Sequence, residues 1–202
     1  MKLYYAPAAC SLAVHIAMRE LNLSFDLVKV DLSHHTLADG SDYYAIVSRG
    51  YVPAVELDDG SVHTEVAALL QLLGDLEPSQ DLMGTLGSAR RTAIAEWLTF
   101  TSTELHKQFS PWLWHKDTAD STRTHVLATL ATRFADIERQ LDGKEWIAGE
   151  FSVADCYLFT ILHWTKLLRL PMTDHPGILA YLARMAARPA VAMAIQAERE
   201  AK

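Results

Sequence analysis

Apolar residues recur along this chain with two different periods, and the change from one to the other divides it. Lys2-Leu3-Tyr4-Tyr5 reads as a short strand, and a helical pattern follows with Ala13, Ile16, Ala17 and Leu21 on one face. Phe25 to Val30 reads as a second strand, with Phe25, Leu27 and Val30 among polar neighbours. Ser33 to Ser48 is polar, with one helical turn expected around Asp42 to Val47. Gly50 to Leu57 and Val62-His63 flank Asp58-Asp59-Gly60-Ser61, and an Asp-Gly pair between short apolar runs predicts a hairpin. Thr64 is placed to cap the next helix, which carries Leu69, Leu70, Leu72 and Leu73.

Turn chemistry then interrupts the pattern over Gly74-Asp75-Leu76-Glu77-Pro78-Ser79-Gln80 and continues through Gly84 and Gly87. Beyond Ser88 the period is helical throughout, predicting helices near 88–115, 121–141, 153–169, 174–187 and 189–199. Pro111, Asp142-Gly143, Pro171, Pro176-Gly177 and Pro189 mark the joints. The expected organisation is an α/β thioredoxin-like domain over 1–80, followed by an all-α helical domain over 87–202. Strand, helix, strand, helix, hairpin and helix is the thioredoxin-like order.

Composition narrows the function classes. The chain has 202 residues, half of them hydrophobic, enough for one large domain or two small ones. A formal net charge of −7 and the absence of any basic run argue against a nucleic-acid partner. No apolar run approaches the ~18 residues of a membrane helix, and no signal-peptide pattern opens the chain. Cys10 and Cys156 lie far apart without CxxC partners, which fits a reducing compartment and a cytoplasmic protein.

Cys10 is the residue with the most evident chemistry. It falls in Tyr5-Ala6-Pro7-Ala8-Ala9-Cys10-Ser11, between the first strand and the first helix. Exposed N–H groups and the positive end of the helix dipole favour a thiolate there. A small, buried, apolar cysteine is the alternative. Val52-Pro53 beside an edge strand suits a turn that leaves the Val52 N–H and C=O free to pair with an added peptide, or an ordinary trans-proline entering a strand. Glu65 at a helix start matches the dipole, whatever else it does. Ser152-Val153-Ala154-Asp155 opens an apolar helix as a capping box, with Phe151 placed to staple onto Cys156.

Four segments together resemble the bacterial beta-class glutathione S-transferases over essentially the whole length. They are Met1 to Tyr5 with Pro7 and Ala9 to Ala13; Val52-Pro53-Ala54; Thr103-Glu104-Leu105-His106-Lys107; and Ser152 to Asp155 followed by Tyr157-Leu158-Phe159. The resemblance implies the glutathione transferase fold, glutathione as co-substrate with no metal, and a homodimer with no membrane or nucleic-acid partner. It implies transfer of the glutathione thiolate to small hydrophobic electrophiles, taken in a cleft against the helical domain. Cys10 and His106 are the implied catalytic pair. Tyr5, Ser11, His35, Val52, Pro53, Glu65, Val66, Thr99, Thr103, Glu104 and Lys107 are the implied glutathione contacts. In the family the Pro53 bond is cis, and the Glu65 position reads the amino group of the γ-glutamyl end. A protein cysteine also permits thiol–disulfide transfer. A glutathione-dependent isomerase or dehalogenase, and a binding protein without turnover, remain alternatives.

The chain departs from the class at His35, where Lys is frequent; at Val66, where a small residue is; at Thr99, where Asn is; and at Tyr51, where Gln is. A histidine at 35 makes any grip on the glycyl carboxylate dependent on pH, where a lysine keeps its charge. Trp112, Trp114 and Trp164 either line the acceptor side or pack the core. The first long helix of the helical domain carries Ala93, Ile94, Trp97, Leu98 and Phe100, and is expected at the dimer interface.

Overall fold

The computed structural model describes residues 1–200, which form two compact units. The first comprises Met1–Gln80 and the segment from Ala187 onward; the second is Asp81–Ala186.

In the first unit the strands β1 (Lys2–Tyr5), β2 (Asp26–Asp31), β3 (Thr36–Leu37), β4 (Ala54–Glu56) and β5 (Val62–Thr64) form one sheet in the order β3-β2-β1-β4-β5. β1 runs parallel to β2, with Leu3 opposite Leu27, and antiparallel to β4, with Leu3 opposite Val55. The hairpin forms as its Asp-Gly pair predicts. Gly60 sits at φ 82°, and the Asp59 carboxylate accepts the Ser61 N–H and hydroxyl. β3 was not expected; two residues in a polar stretch carry too little pattern to mark a strand.

Helix α1 (Ser11–Glu20) buries every residue from Ser11 to Met18, because it is covered on more than one side. It packs on α2 (Val66–Leu76) and on the terminal helix α8 (Pro189–Glu200). A buried histidine must find partners in such a helix. His15 Nδ1 lies 3.0 Å from Glu198 Oε1, and its Nε2 accepts the Arg19 Nε–H at 2.9 Å. The Arg188 guanidinium meets both Glu20 oxygens, at 2.6 and 2.8 Å. These contacts group the last helix with the α/β unit, where the sequence pattern ran the helical domain to residue 202.

The second unit holds α3 (Ala89–Phe100), α4 (Lys107–Phe109), α5 (Asp120–Leu141), α6 (Val153–Leu167) and α7 (Pro176–Ala186). Ser88 caps α3 by accepting the Arg91 N–H. The continuous helix expected over 88–115 is broken. Thr101–His106 is wound as a π-helix between α3 and α4, and Pro111 follows. Thr99 and Thr103 hydroxyls bond back to the Ala95 and Thr99 carbonyls, a competition that disturbs the regular ladder. Proline at 111 removes the N–H a continuing helix needs. The capping box of α6 forms, and the Phe151 ring lies against Trp146 at 5.1 Å. Among the described residues no single helix is long and apolar enough to cross a membrane.

Candidate functional site

In the first unit the Pro7-Ala8-Ala9 turn carries the chain from β1 to α1 and leaves Cys10 at the helix's N-cap position. Ser11 stabilises that turn. It is fully buried, and its hydroxyl donates to the Ala6 carbonyl and accepts the Ala6 N–H. Its oxygen is thereby engaged with the backbone. Tyr5 is also buried, with its ring 6.3 Å from His15, and burial followed by the Glu198 charge pushes its phenol up. That tyrosine stays protonated and lines the interior.

Cys10 is partly exposed, and its thiol donates to the Val52 carbonyl at 3.4 Å. Two influences therefore meet on the sulfur. The start of α1 favours the thiolate, and the carbonyl favours the thiol. The Val52-Pro53 bond is cis, and both residues lie outside the β4 ladder. The Val52 C=O is taken by Cys10, where the sequence suggested that both backbone groups stand free. The Tyr43 hydroxyl fixes the preceding residue by donating to the Tyr51 carbonyl.

Glu65, not Thr64, occupies the N-cap position of α2, with φ 72° and ψ 115°. A positive φ is costly for a residue with a Cβ, and such positions cluster where a fixed backbone serves a ligand. The Glu65 carboxylate is 67% exposed and meets Arg49 at 3.4 Å, while Arg49 also donates to the Thr64 hydroxyl. Arg49 was not foreseen; it lies 16 residues away, with no local pattern linking the two. Val66 turns its side chain into the core.

His35 also has positive φ, 53°. Its ring lies 4.5 Å from that of Tyr44, and its Nδ1 is 3.2 Å from the Gly50 carbonyl. A Cβ at residue 50 would fall 2.7 Å from that same nitrogen, so only glycine fits beneath the ring. A carbonyl can only accept, so Nδ1 carries a proton in this bond. A neutral His35 then offers a bare Nε2, and only the charged ring can donate through it.

In the second unit the π-helical segment holds Thr103, Glu104 and His106. Glu104 is engaged by Arg133 of α5, whose Nε and Nη2 approach one carboxylate oxygen at 2.8 and 2.6 Å. Thr99 and Thr103 are exposed, with hydroxyls bonded to helix carbonyls. Lys107 is exposed. His106 is half-buried: its Nδ1 is 2.7 Å from the Tyr157 hydroxyl, and its ring stands edge-on to Trp164 at 5.1 Å. Burial, and then the neighbouring Lys107 charge, lower its pKa to about 4. The imidazole is therefore neutral around pH 7. Trp164 is buried, whereas Trp112 and Trp114 are each more than two-fifths exposed.

Comparison with known proteins identifies the family. Residues 9–76 match the model of the glutathione S-transferase N-terminal domain, and residues 103–198 that of the C-terminal domain. The glutathione S-transferase GstA of Escherichia coli O157:H7 is 42% identical over 199 residues, 98% of each chain. A solved sphingomonad glutathione S-transferase complexed with glutathione is 37% identical, with a TM-score of 0.94 and full coverage of both chains. The beta-class glutathione S-transferase of Sphingomonas chungbukensis is 38% identical, with a TM-score of 0.93 over 98% of each chain. The chain belongs to the glutathione S-transferase family, in its bacterial beta class. Its fold is the thioredoxin-like unit joined to a helical one that this family shares.

Proposed function

We propose that this protein is a cytoplasmic, homodimeric glutathione transferase that adds the glutathione thiolate to small hydrophobic electrophiles. The observation that carries the reading is the Cys10 turn: a partly exposed thiol at the start of α1, 3.4 Å from the carbonyl beside a cis-proline. A sphingomonad relative with this fold is described in complex with glutathione, which supports the same ligand here.

In this reading the Val52 backbone pairs with the tripeptide as an added strand. Glu65 binds the γ-glutamyl ammonium, with Val66 supplying its first-turn N–H. His35 binds the glycyl carboxylate. Pro53 shapes the turn, while Tyr5 and Ser11 support it from inside. Thr99, Thr103, Glu104 and Lys107 are the contributions of the helical unit. Cys10 and His106 act on the glutathione sulfur, and catalysis consists of holding that sulfur as a thiolate against the acceptor carbon. No metal enters the scheme. Half-buried Trp97 and Phe100 of α3 offer an apolar surface for the second copy.

Retention on immobilised glutathione, followed by conjugation of a generic aryl halide, tests the proposal. Retention and turnover are both expected. Retention without turnover identifies a binding protein, and loss of both removes glutathione as the ligand.

The grip on the glycyl carboxylate gives a second test. Glutathione affinity is expected to fall about three- to ten-fold in His35→Ala and to be kept in His35→Lys, the scale of one half-exposed, charge-assisted hydrogen bond. Titration calorimetry of the three proteins checks it, and an unchanged affinity in His35→Ala would take His35 out of the site.

A further inference from the structure

A neutral histidine has a single N–H, and the nitrogen that carries it decides whether the ring donates or accepts at its free edge. His106 is such a ring. Its surroundings hold it from two sides. The Tyr157 hydroxyl meets Nδ1 at 2.7 Å, and the rings of Tyr157 and Trp164 stand edge-on to it at 5.9 and 5.1 Å. Tyr157 is 1% exposed and sits in α6, whose capped first turn and buried face leave it little freedom. The charged groups nearby are Lys107, next in sequence, and the Glu104–Arg133 pair between the π-helical segment and α5. Each acid or base of that pair already has its opposite.

The direction of the short bond follows from the chemistry of its two ends. A phenol is a good donor and a poor acceptor, because its oxygen lone pair is delocalised into the ring. An unprotonated imidazole nitrogen is the more basic of the two. The bond therefore runs from the Tyr157 O–H to Nδ1, and the ring proton stays on Nε2. We infer that Tyr157 is a positioning residue that fixes His106 in the Nε2–H tautomer, so that the ring offers a hydrogen-bond donor to the glutathione sulfur. The opposite tautomer would turn a lone pair towards a thiolate and repel it. This inference rests on the reading of His106 as a residue that acts on that sulfur.

Nitrogen-15 spectra of the histidine rings at pH 7, with His106 assigned by its absence in His106→Ala, report the tautomer directly. The wild type is expected to show a protonated Nε2 and an unprotonated Nδ1. Tyr157→Phe should show a mixture of tautomers, and its kcat/KM for conjugation should fall about ten-fold with KM for glutathione little changed. The double variant with His106→Ala should be no slower than His106→Ala alone, because the tyrosine acts through the ring. A wild-type spectrum with the proton on Nδ1 overturns the inference, and so does Tyr157→Phe with the Nε2–H form unchanged. If Tyr157→Phe does not fold, the wild-type spectrum still decides. If the tautomer shifts as expected while neither Tyr157→Phe nor His106→Ala slows conjugation, the tautomer assignment stands and the catalytic role of His106 falls.

Discussion

Exposure to oxidised glutathione is expected to add one glutathionyl group per chain, on Cys10. The Cys10 thiolate attacks one sulfur of the disulfide, the new Cys10–glutathione disulfide forms, and the other glutathione leaves as its thiolate. Free glutathione then reverses the modification by the same exchange. The two cysteines differ in what permits this. Cys10 is partly exposed at a helix start, whereas Cys156 is completely buried in α6, with its sulfur facing the Ser152 carbonyl at 3.9 Å. Intact-mass measurement should show the adduct in the wild type and in Cys156→Ala, and none in Cys10→Ala. Thiol-transferase activity should drop to background in Cys10→Ala, because no accessible protein thiol remains to carry the intermediate. Conjugation should survive in part, since glutathione brings its own thiol. An adduct confined to Cys156, or undiminished thiol transfer in Cys10→Ala, would remove Cys10 as the reactive centre.

What the sequence made legible was local. The strand, turn and helix around Cys10 lie within twenty residues, and the hairpin is announced by its own Asp-Gly pair. The helices of the second unit carry their own period and joints. What stayed hidden depends on partners distant in the chain. His15 reads as one polar residue on an apolar face until Glu198, 183 positions later, reaches it and draws α8 onto α1. Arg133 meets Glu104 across 29 positions, and Tyr157 meets His106 across 51. The neutral state of His106 comes from burial among such partners, and no spacing in the sequence encodes it. The π-helical winding of Thr101–His106 was hidden for another reason: over six residues its period differs too little from that of an α-helix. Ser11 has a local role that the motif does not spell out. Its place beside Cys10 suggests a ligand contact, and its hydroxyl is bound to the Ala6 backbone.

The largest loss of stability is expected from Asp155→Ala. This carboxylate is fully buried and gathers four donors. Oδ1 accepts the Ile147 N–H and the Tyr181 hydroxyl, and Oδ2 accepts the Ser152 N–H and hydroxyl. It thereby ties the start of α6 to the preceding loop and to α7. Truncation leaves buried donors unpartnered, at roughly 1–3 kcal/mol each, so a total of about 3–5 kcal/mol is expected after relaxation. That is a large share of the ~5–15 kcal/mol by which a typical protein is stable. Burial also pushes the Asp155 carboxyl up to about 6, outweighing the hydrogen bonds that favour its charge. The folded chain thus holds this proton more tightly than the unfolded chain does. The stability it confers is complete below the ordinary carboxylate pKa and is lost as pH rises through about 6. The advantage of the wild type over Asp155→Ala should therefore shrink between pH 4.5 and 7, by about 2 kcal/mol. Urea unfolding of both proteins at the two pH values measures the difference. An advantage that grows with pH would mean that the carboxylate is better stabilised in the fold than in water, and that the cap outweighs its burial.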